Sequence, residues 1–343
     1  MTWHIRFQKS SPESASPYRL VDDKNREVDW ANDFLDGQKM RGLSLCSLRA
    51  YAFDLLNLIR WLAVTSIQLS QLNQAKVRDY IRFQLDHKHK PAAQTVNHRV
   101  SVLFSLYRFY HGCDIPSQFQ DPKKTAGRPS RFGYGRTYRV LRGLRVQIPR
   151  RVVIPLSAEE VARFWRSFRT FRDLSIIALM LFNGLRSRET ISLQLQDLHF
   201  AQGEILVHGK GNRERLLPVA QETIQVLQNF LHWERPPTDS PYVFVSLKGL
   251  QRGKPMTPAG LRSLFRHHRR KTTILKANPH RFRHTFGADM IRAGVSVPAL
   301  MRLMGHSHIH TTMLYVHLSP QDVWREFHRA VSQLNRPTLP EGL

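Results

Sequence analysis

The chain has 343 residues, 41% of them hydrophobic, so it can bury two ordinary cores and is not disordered as a whole. Lys and Arg number 52 against 26 acidic residues, a balance of +26 spread along the chain. Charge of that size and spread points to a polyanion, nucleic acid ahead of a membrane surface, which would want one basic amphipathic helix. Cys46 and Cys113 are too few for a disulfide framework, no signal-peptide core opens the chain, and the apolar run Ile176 to Phe182 is too short to span a bilayer. A reduced, cytoplasmic protein is expected.

Residues 1–27 are polar and mixed, and read as an N-terminal arm or a short strand. A helical domain is expected over residues 28–113. Leu48, Tyr51, Leu55, Ile59 and Leu62 form one stripe at three-to-four spacing, as do Val77, Ile81 and Leu85, and again Val96, Val100, Leu103 and Tyr107. Short loops between these stripes predict a bundle of about four helices.

Residues 114–154 then read as a basic linker. From Lys123 to Arg151 there are two Lys, eight Arg and no acidic residue, punctuated by glycines. With no opposite charge to pair, Lys123, Lys124, Arg128, Arg131, Arg136, Arg139, Arg142 and Arg145 are candidates for DNA-backbone contact; a merely soluble linker is the plainer alternative.

A second domain is expected over 155–334, followed by a tail, 335–343. Ser157 and Glu160 have capping-box spacing. "DLSIIALMLFNG" predicts a buried helix stopped by Gly184, and "GEILVHGKGNRERLLPV" a β-hairpin. "MTPAGLRSLFRHHRRK" predicts a helix with Thr257 as N-cap and Pro258 at its first position. Its cations Arg262, Arg266, Arg269 and Arg270 are candidates for major-groove contact. Val323, Trp324, Phe327 and Val331 mark a last amphipathic helix.

Five places could carry chemistry. Arg186 in "NGLRSRET" follows a glycine that stops a buried helix, and Glu189, one turn on, can brace it. Lys210 sits at the glycine-flanked hairpin tip, from which it could reach a groove or protonate a leaving group. His280 and Arg283 in "PHRFRHTFG" are three apart, which on a helix puts them on one face. His280 and His284 also have the spacing of a metal pair, but the glutamate of HExxH is missing and Arg281 and Arg283 would repel a divalent cation. In "GHSHIHTTMLYVH", His306, His308 and His310 alternate as strand-borne ligands would, whereas Thr311 and Thr312 look like the cap of a helix carrying Tyr315. Two guanidiniums can clamp a phosphate, imidazoles can bond it or move protons, a lysine can protonate a leaving alkoxide, and a tyrosine can attack.

In these stretches and their order the sequence resembles the tyrosine recombinase (phage integrase) family. The likeness is carried by "NGLRSRET", "HGKGNRERLLPV" and "PHRFRHTFGADMIRAGVSVPALMRLMGHSHIHTTMLYVHLSP". It covers roughly residues 155–320 closely and the 28–113 region more loosely. The resemblance implies a mainly α fold with a small β-hairpin or sheet. An α-helical, SAM-like core-binding domain would precede a mixed, mostly α catalytic domain. It implies Arg186, Lys210, His280, Arg283, His306 and the nucleophile Tyr315 as catalytic, with Glu189 supporting. It further implies metal- and ATP-independent cleavage and rejoining of double-stranded DNA through a 3′-phosphotyrosine, with no cofactor. The working form would be a homotetramer on two sites, helped in some members by DNA-bending accessory proteins. Val323 to Leu334 is placed like a helix that docks on a neighbouring subunit, though packing within its own subunit is equally open. The long basic linker favours integration or excision of a mobile element over chromosome resolution. His308 and His310 depart from the family pattern, either as extra phosphate contacts or as surface residues. Three alternatives stand beside this reading. A DNA-binding protein on the same scaffold would have lost part of the polar set. A metal-dependent hydrolase would need carboxylates near the histidines, and none lies between Asp289 and Asp322. A type IB topoisomerase shares the chemistry.

Overall fold

The computed structural model describes residues 2–9, 12–87, 89–116, 144–148, 154–209, 213–306 and 308–313, with isolated positions at 328 and 332. The chain forms two compact units, 1–150 and 151–343.

In the first unit the N-terminal residues are built into the fold. Strands β1 (Trp3–Phe7) and β2 (Tyr18–Asp22) pair antiparallel, with Trp3 opposite Asp22 and Phe7 opposite Tyr18. Leu20 and Val21 are fully buried. Of the two expectations for this segment, an arm or a short strand, the strand holds, paired with a second one as a hairpin, and the reason lies in long-range polar contacts. Asn32 bonds both the N–H and the carbonyl of Leu20, at 2.8 and 3.1 Å, and Arg19 bridges Asp36 and Glu27. Both sets of bonds tie the strands to the chain that follows.

Four helices follow: α1 (Asp29–Met40), α2 (Leu45–Thr65), α3 (Gln74–Leu85) and α4 (Ala93–His111). Ser44 and Asn73 cap α2 and α3 through their side chains, and Gly112 ends α4 in the left-handed region. The stripes expected on α2 and α4 face the core. On α3 the buried face is rotated, to Val77, Tyr80 and Gln84, leaving Ile81 and Leu85 half-buried. Gln84 can be inside because its amide donates to the Tyr80 carbonyl and accepts from Arg99. Most of the basic run lies outside the described residues. Its far end returns to this unit: Leu144 joins the core, and Asn97 makes paired bonds to the Val146 backbone at 2.8 and 2.9 Å.

The second unit begins with α5 (Ala158–Trp165), whose Ser157–Glu160 capping box is formed in both directions. Helix α6 (Phe171–Phe182), capped by Thr170, is buried nearly all round. After it come the short α7 (Ser187–Ile191) and a three-stranded antiparallel sheet, β3 (Leu198–His199), β4 (Glu204–His208) and β5 (Glu214–Pro218). Helix α8 (Gln221–Asn229) packs against α6. Helix α9 (Pro258–Thr272) is capped by Thr257 as expected. It buries Leu261, Phe265 and His268 and exposes Arg262, Arg266 and Arg270, with Arg269 half-buried. Helices α10 (Pro279–Arg292), α11 (Val297–Met304) and α12 (Ile309–Thr312) complete the described part. No described helix is long and apolar enough to cross a membrane.

The turn after α6 aims the chain toward α7. Gly184 has φ +63°, and a Cβ there would lie 2.4 Å from the Phe286 ring. Gly184→Ala combines left-handed strain with overpacking and is expected to destabilise the protein by about 2–4 kcal/mol. A urea-unfolding midpoint unchanged in that variant would count against this account.

Candidate active site

Arg186 immediately precedes α7, and its backbone N–H donates to Glu189 Oε2 at 2.9 Å, fixing the first turn. Its guanidinium donates to Glu189 Oε1 at 2.6 Å and to the Gly305 carbonyl at 3.0 Å. Glu189, 5% exposed, is the hub of the site. Arg215 on β5 holds it bidentately at 2.9 and 3.2 Å, and Arg283 Nη1 stands 3.9 Å from Oε2. Burial alone would raise the carboxyl pKa. Hydrogen bonds from Arg215 and the Arg186 N–H, with both positive charges, outweigh it and hold the group at about 2.

The end of α11 is fastened by the same arginines. The last carbonyls of a helix have no partner within it, and that end carries partial negative charge. Here the carbonyls of Leu303, Met304 and Gly305 accept from Arg215, Arg283 and Arg186 in turn. Arg283, 5% exposed, also donates to the Gly184 carbonyl, so it joins the turn after α6 to the end of α11. Gly305 turns the chain with φ +62°, and the His306 N–H closes back on the Met301 carbonyl at 3.0 Å.

His306 follows directly and is 8% exposed, with Nδ1 2.8 Å from Thr312 Oγ1. Burial, reinforced by the charges of Arg283, Arg186, Arg215 and His284, pulls its pKa down to about 4, so the ring is neutral at physiological pH. This corrects the reading of the threonines. Thr312 is fully buried inside α12 rather than capping it; His308 occupies the N-cap position and makes no side-chain cap bond. The threonine hydroxyl meets the imidazole. His306 and His308 also lie on a turn and a helix start rather than on a strand, His306 turned inward and His308 exposed. Among the described residues no group of three or more His, Cys, Asp or Glu side chains is placed to hold a metal ion.

On α10, His280 is exposed near the N-terminus and Arg283 is buried one turn on. His284 follows Arg283 on the same helix and is half-buried. Burial, with the charges of Arg281, His280 and Arg283, pulls its pKa down to about 4. The structure thus brings together Arg186, Glu189, Arg283 and His306, with His280 at the edge. Lys210 and Tyr315 lie outside the described residues, as do Lys123, Lys124, Arg128, Arg131, Arg136, Arg139 and Arg142, and all but two positions of Val323 to Leu334. Arg145 is described and exposed. The hairpin that carries Lys210 is closed at its base, Gly209 N–H to the Arg213 carbonyl at 2.7 Å.

The description "Phage integrase family" matches residues 155–322, and "Phage integrase, N-terminal SAM-like domain" matches residues 32–111. The chain belongs to the tyrosine recombinase (phage integrase) family. It is thereby an enzyme of site-specific DNA strand cleavage and rejoining. The recombinase is 26% identical to tyrosine recombinase XerC of Leptospira interrogans, the match covering 88% of this chain and 92% of that one. It is also 26% identical to transposase A from transposon Tn554 of Staphylococcus aureus, over 91% and 93%. Its fold is similar to the Tn1549 transposon integrase in complex with transposon right-end DNA, with TM-score 0.66, 18% identity, and 88% and 99% of the chains covered. It is similar too to the XerH site-specific recombinase bound to difH substrate in a post-cleavage complex, with TM-score 0.63, 18% identity, and 91% and 90% covered.

For three residues of the recombinase's polar cluster the sequence reading missed the role: Arg215 was not singled out, and His284 and Thr312 were read otherwise. Arg215 had a legible signal: on a strand whose Leu217 faces the core, it shares the inward phase. His284 was weighed only as a metal ligand. Thr312 carried no signal that separates a cap from a partner for an imidazole.

Proposed function

We propose that this recombinase cleaves one DNA strand by attack of the Tyr315 hydroxyl on the scissile phosphate, and that it serves a mobile element by integration or excision. The P–O5′ bond breaks, leaving a 3′-phosphotyrosine and a free 5′-hydroxyl. A 5′-hydroxyl from a partner strand then attacks the phosphotyrosine, restores the phosphodiester and releases Tyr315. The energy of the broken bond is kept in the covalent intermediate.

The observation that carries this reading is the convergence of Arg186, Arg283 and a neutral His306 on the end of α11, in the part of the chain that matches the family's catalytic model. Arg186 and Arg283 stabilise the charge that gathers on the phosphorane oxygens. Two of the five N–H groups of Arg186 are engaged among the described residues, and the rest can meet a phosphate oxygen. His306, kept neutral, can bond the phosphate or accept the phenolic proton; His280 lies at the exposed edge for the same purposes. Lys210 protonates the leaving 5′-oxygen from the hairpin tip. The exposed Arg262, Arg266 and Arg270 of α9 face solvent on one stripe and suit duplex contact, with Arg145 and the basic run adding phosphate contacts. The working assembly is a homotetramer on two DNA sites, with Val323 to Leu334 reaching a neighbour and accessory proteins bending the DNA where the sites require it.

The test incubates the full chain, with EDTA present, with nicked suicide duplexes made from DNA flanking its gene. An SDS-resistant adduct whose DNA-linked peptide contains Tyr315 supports the reading. An adduct mapped to another residue moves the nucleophile. Specific binding with no adduct leaves a DNA-binding protein on a recombinase scaffold.

A further inference from the structure

We propose that Arg215 is a positioning residue for cleavage: its guanidinium ties strand β5, the Glu189 carboxylate and the Gly305 turn into one unit that sets His306 against the two phosphate arginines. The proposal rests on the recombinase reading above.

The contacts come from three separate stretches of chain. Arg215 grips both oxygens of Glu189, at 2.9 and 3.2 Å, and so fixes the carboxylate that orients Arg186. Its Nε donates to the Leu303 carbonyl at 3.1 Å, at the end of the helix that delivers His306. Gly305 makes room for it: a Cβ there would lie 2.9 Å from Nη1 and 3.1 Å from Cζ of Arg215. Gly305 immediately precedes His306. The planar guanidinium thus lies against bare backbone at the root of His306, while its fork holds the brace of Arg186. The Arg215 side chain is 14% exposed, so these bonds are little diluted by water. A lysine could keep the charge but not the fork, because an ammonium cannot hold both carboxylate oxygens and a carbonyl in one plane.

Arg215 touches no reacting atom in this account. Its effect runs through placement, and displacement of a catalytic group by about 1 Å can cost about 10²-fold in rate. The test measures single-turnover adduct formation on the suicide duplexes described above, for wild type, Arg215→Gln, Arg215→Lys, Gly305→Ala and the Arg215→Gln/Gly305→Ala double variant. Arg215→Gln and Gly305→Ala are each expected to slow cleavage by about 10²-fold, with duplex affinity held within about threefold by the many other cations. The double variant is expected to be no slower than the slower single one, because both changes break the same contact. The acid limb of the Arg215→Gln rate profile should move to higher pH, since one of the charges holding His306 neutral is gone. Arg215→Lys should stay closer to Arg215→Gln than to wild type. Cleavage by Arg215→Gln at the wild-type rate overturns the proposal, and so does a double variant slowed by the product of the two single effects. If Arg215→Gln does not fold, Gly305→Ala decides, because it keeps every charge: a wild-type rate there also overturns the proposal. A wild-type chain that forms no adduct removes the recombinase reading itself, an outcome distinct from the loss of the Arg215 role alone.

Discussion

Arg186→Ala is expected to slow covalent strand cleavage by about 10²–10³-fold, the usual cost of removing one donor from a site that stabilises developing negative charge. Affinity for the same duplex should stay within about threefold, because backbone affinity is shared among many cations and a single contact is a small part of it. Arg186 is a cleaner probe than Arg283. Its side chain is 37% exposed, whereas that of Arg283 is 6% exposed and holds the carbonyls of Gly184 and Met304. Arg283→Ala would leave those buried carbonyls without donors and mix lost folding with lost chemistry. In Arg186→Ala, Glu189 still has Arg215, so the hub survives. Arg186→Lys should recover less than about tenfold, since a point charge cannot bond two phosphate oxygens in one plane. The measurement is the single-turnover rate of adduct formation beside a binding isotherm, with Tyr315→Phe setting the background. A parallel fall of rate and affinity would show Arg186 to be one of many backbone contacts and not a clamp on the reacting phosphate.

What could be read from sequence divides along a physical line. Helices whose signals are local were legible: the Ser157–Glu160 box, the Thr257 cap before Pro258, and the apolar run that stops at Gly184 all formed as spaced. The partnership of Arg186 with Glu189 was local too, three residues apart. Features made by distant chain were not. The strands of the N-terminal hairpin are held by Asn32 and Asp36, which periodicity within residues 1–27 cannot reveal. Gln84 is buried through bonds to Tyr80 and Arg99, and a pattern of apolar residues is blind to a satisfied amide. Thr312 obeys the statistics of a cap, but His306 competes for its hydroxyl. The fastening of α11 by three arginines from β5, α10 and the residue before α7 has no sequence signature, since each arginine alone reads as a surface cation.

The second large effect concerns Glu189, whose carboxylate faces three guanidiniums. Glu189→Gln keeps the shape and removes the charge, leaving the half-buried Arg215 and the buried Arg283 without their counter-ion. Breaking a buried pair in this way costs about 3–5 kcal/mol, so the variant should unfold at markedly lower denaturant at pH 7. The pH dependence separates this effect from a simple packing loss. The folded pKa of Glu189, about 2, lies below its ordinary value of 4.5. Its contribution is therefore fully present above pH 4.5 and is lost as pH falls from there toward 2, a depression worth about 3 kcal/mol. His306 and His284 titrate differently. Their folded pKa values near 4 lie below the ordinary 6.5, so the stability of their neutral forms is present above pH 6.5 and declines from there toward 4. Wild type should lose stability in two overlapping stages as the solution is acidified, the imidazoles first and the carboxylate after. Glu189→Gln should keep the first stage and lack the second, so that the gap between the two proteins, widest at pH 7, narrows below pH 4.5. Denaturant unfolding from pH 3 to pH 8 reads both features. Equal stability at pH 7, or a gap that stays constant down to pH 3, would mean that the arginines are held by solvent or by one another and that Glu189 is not the charge on which the site is built.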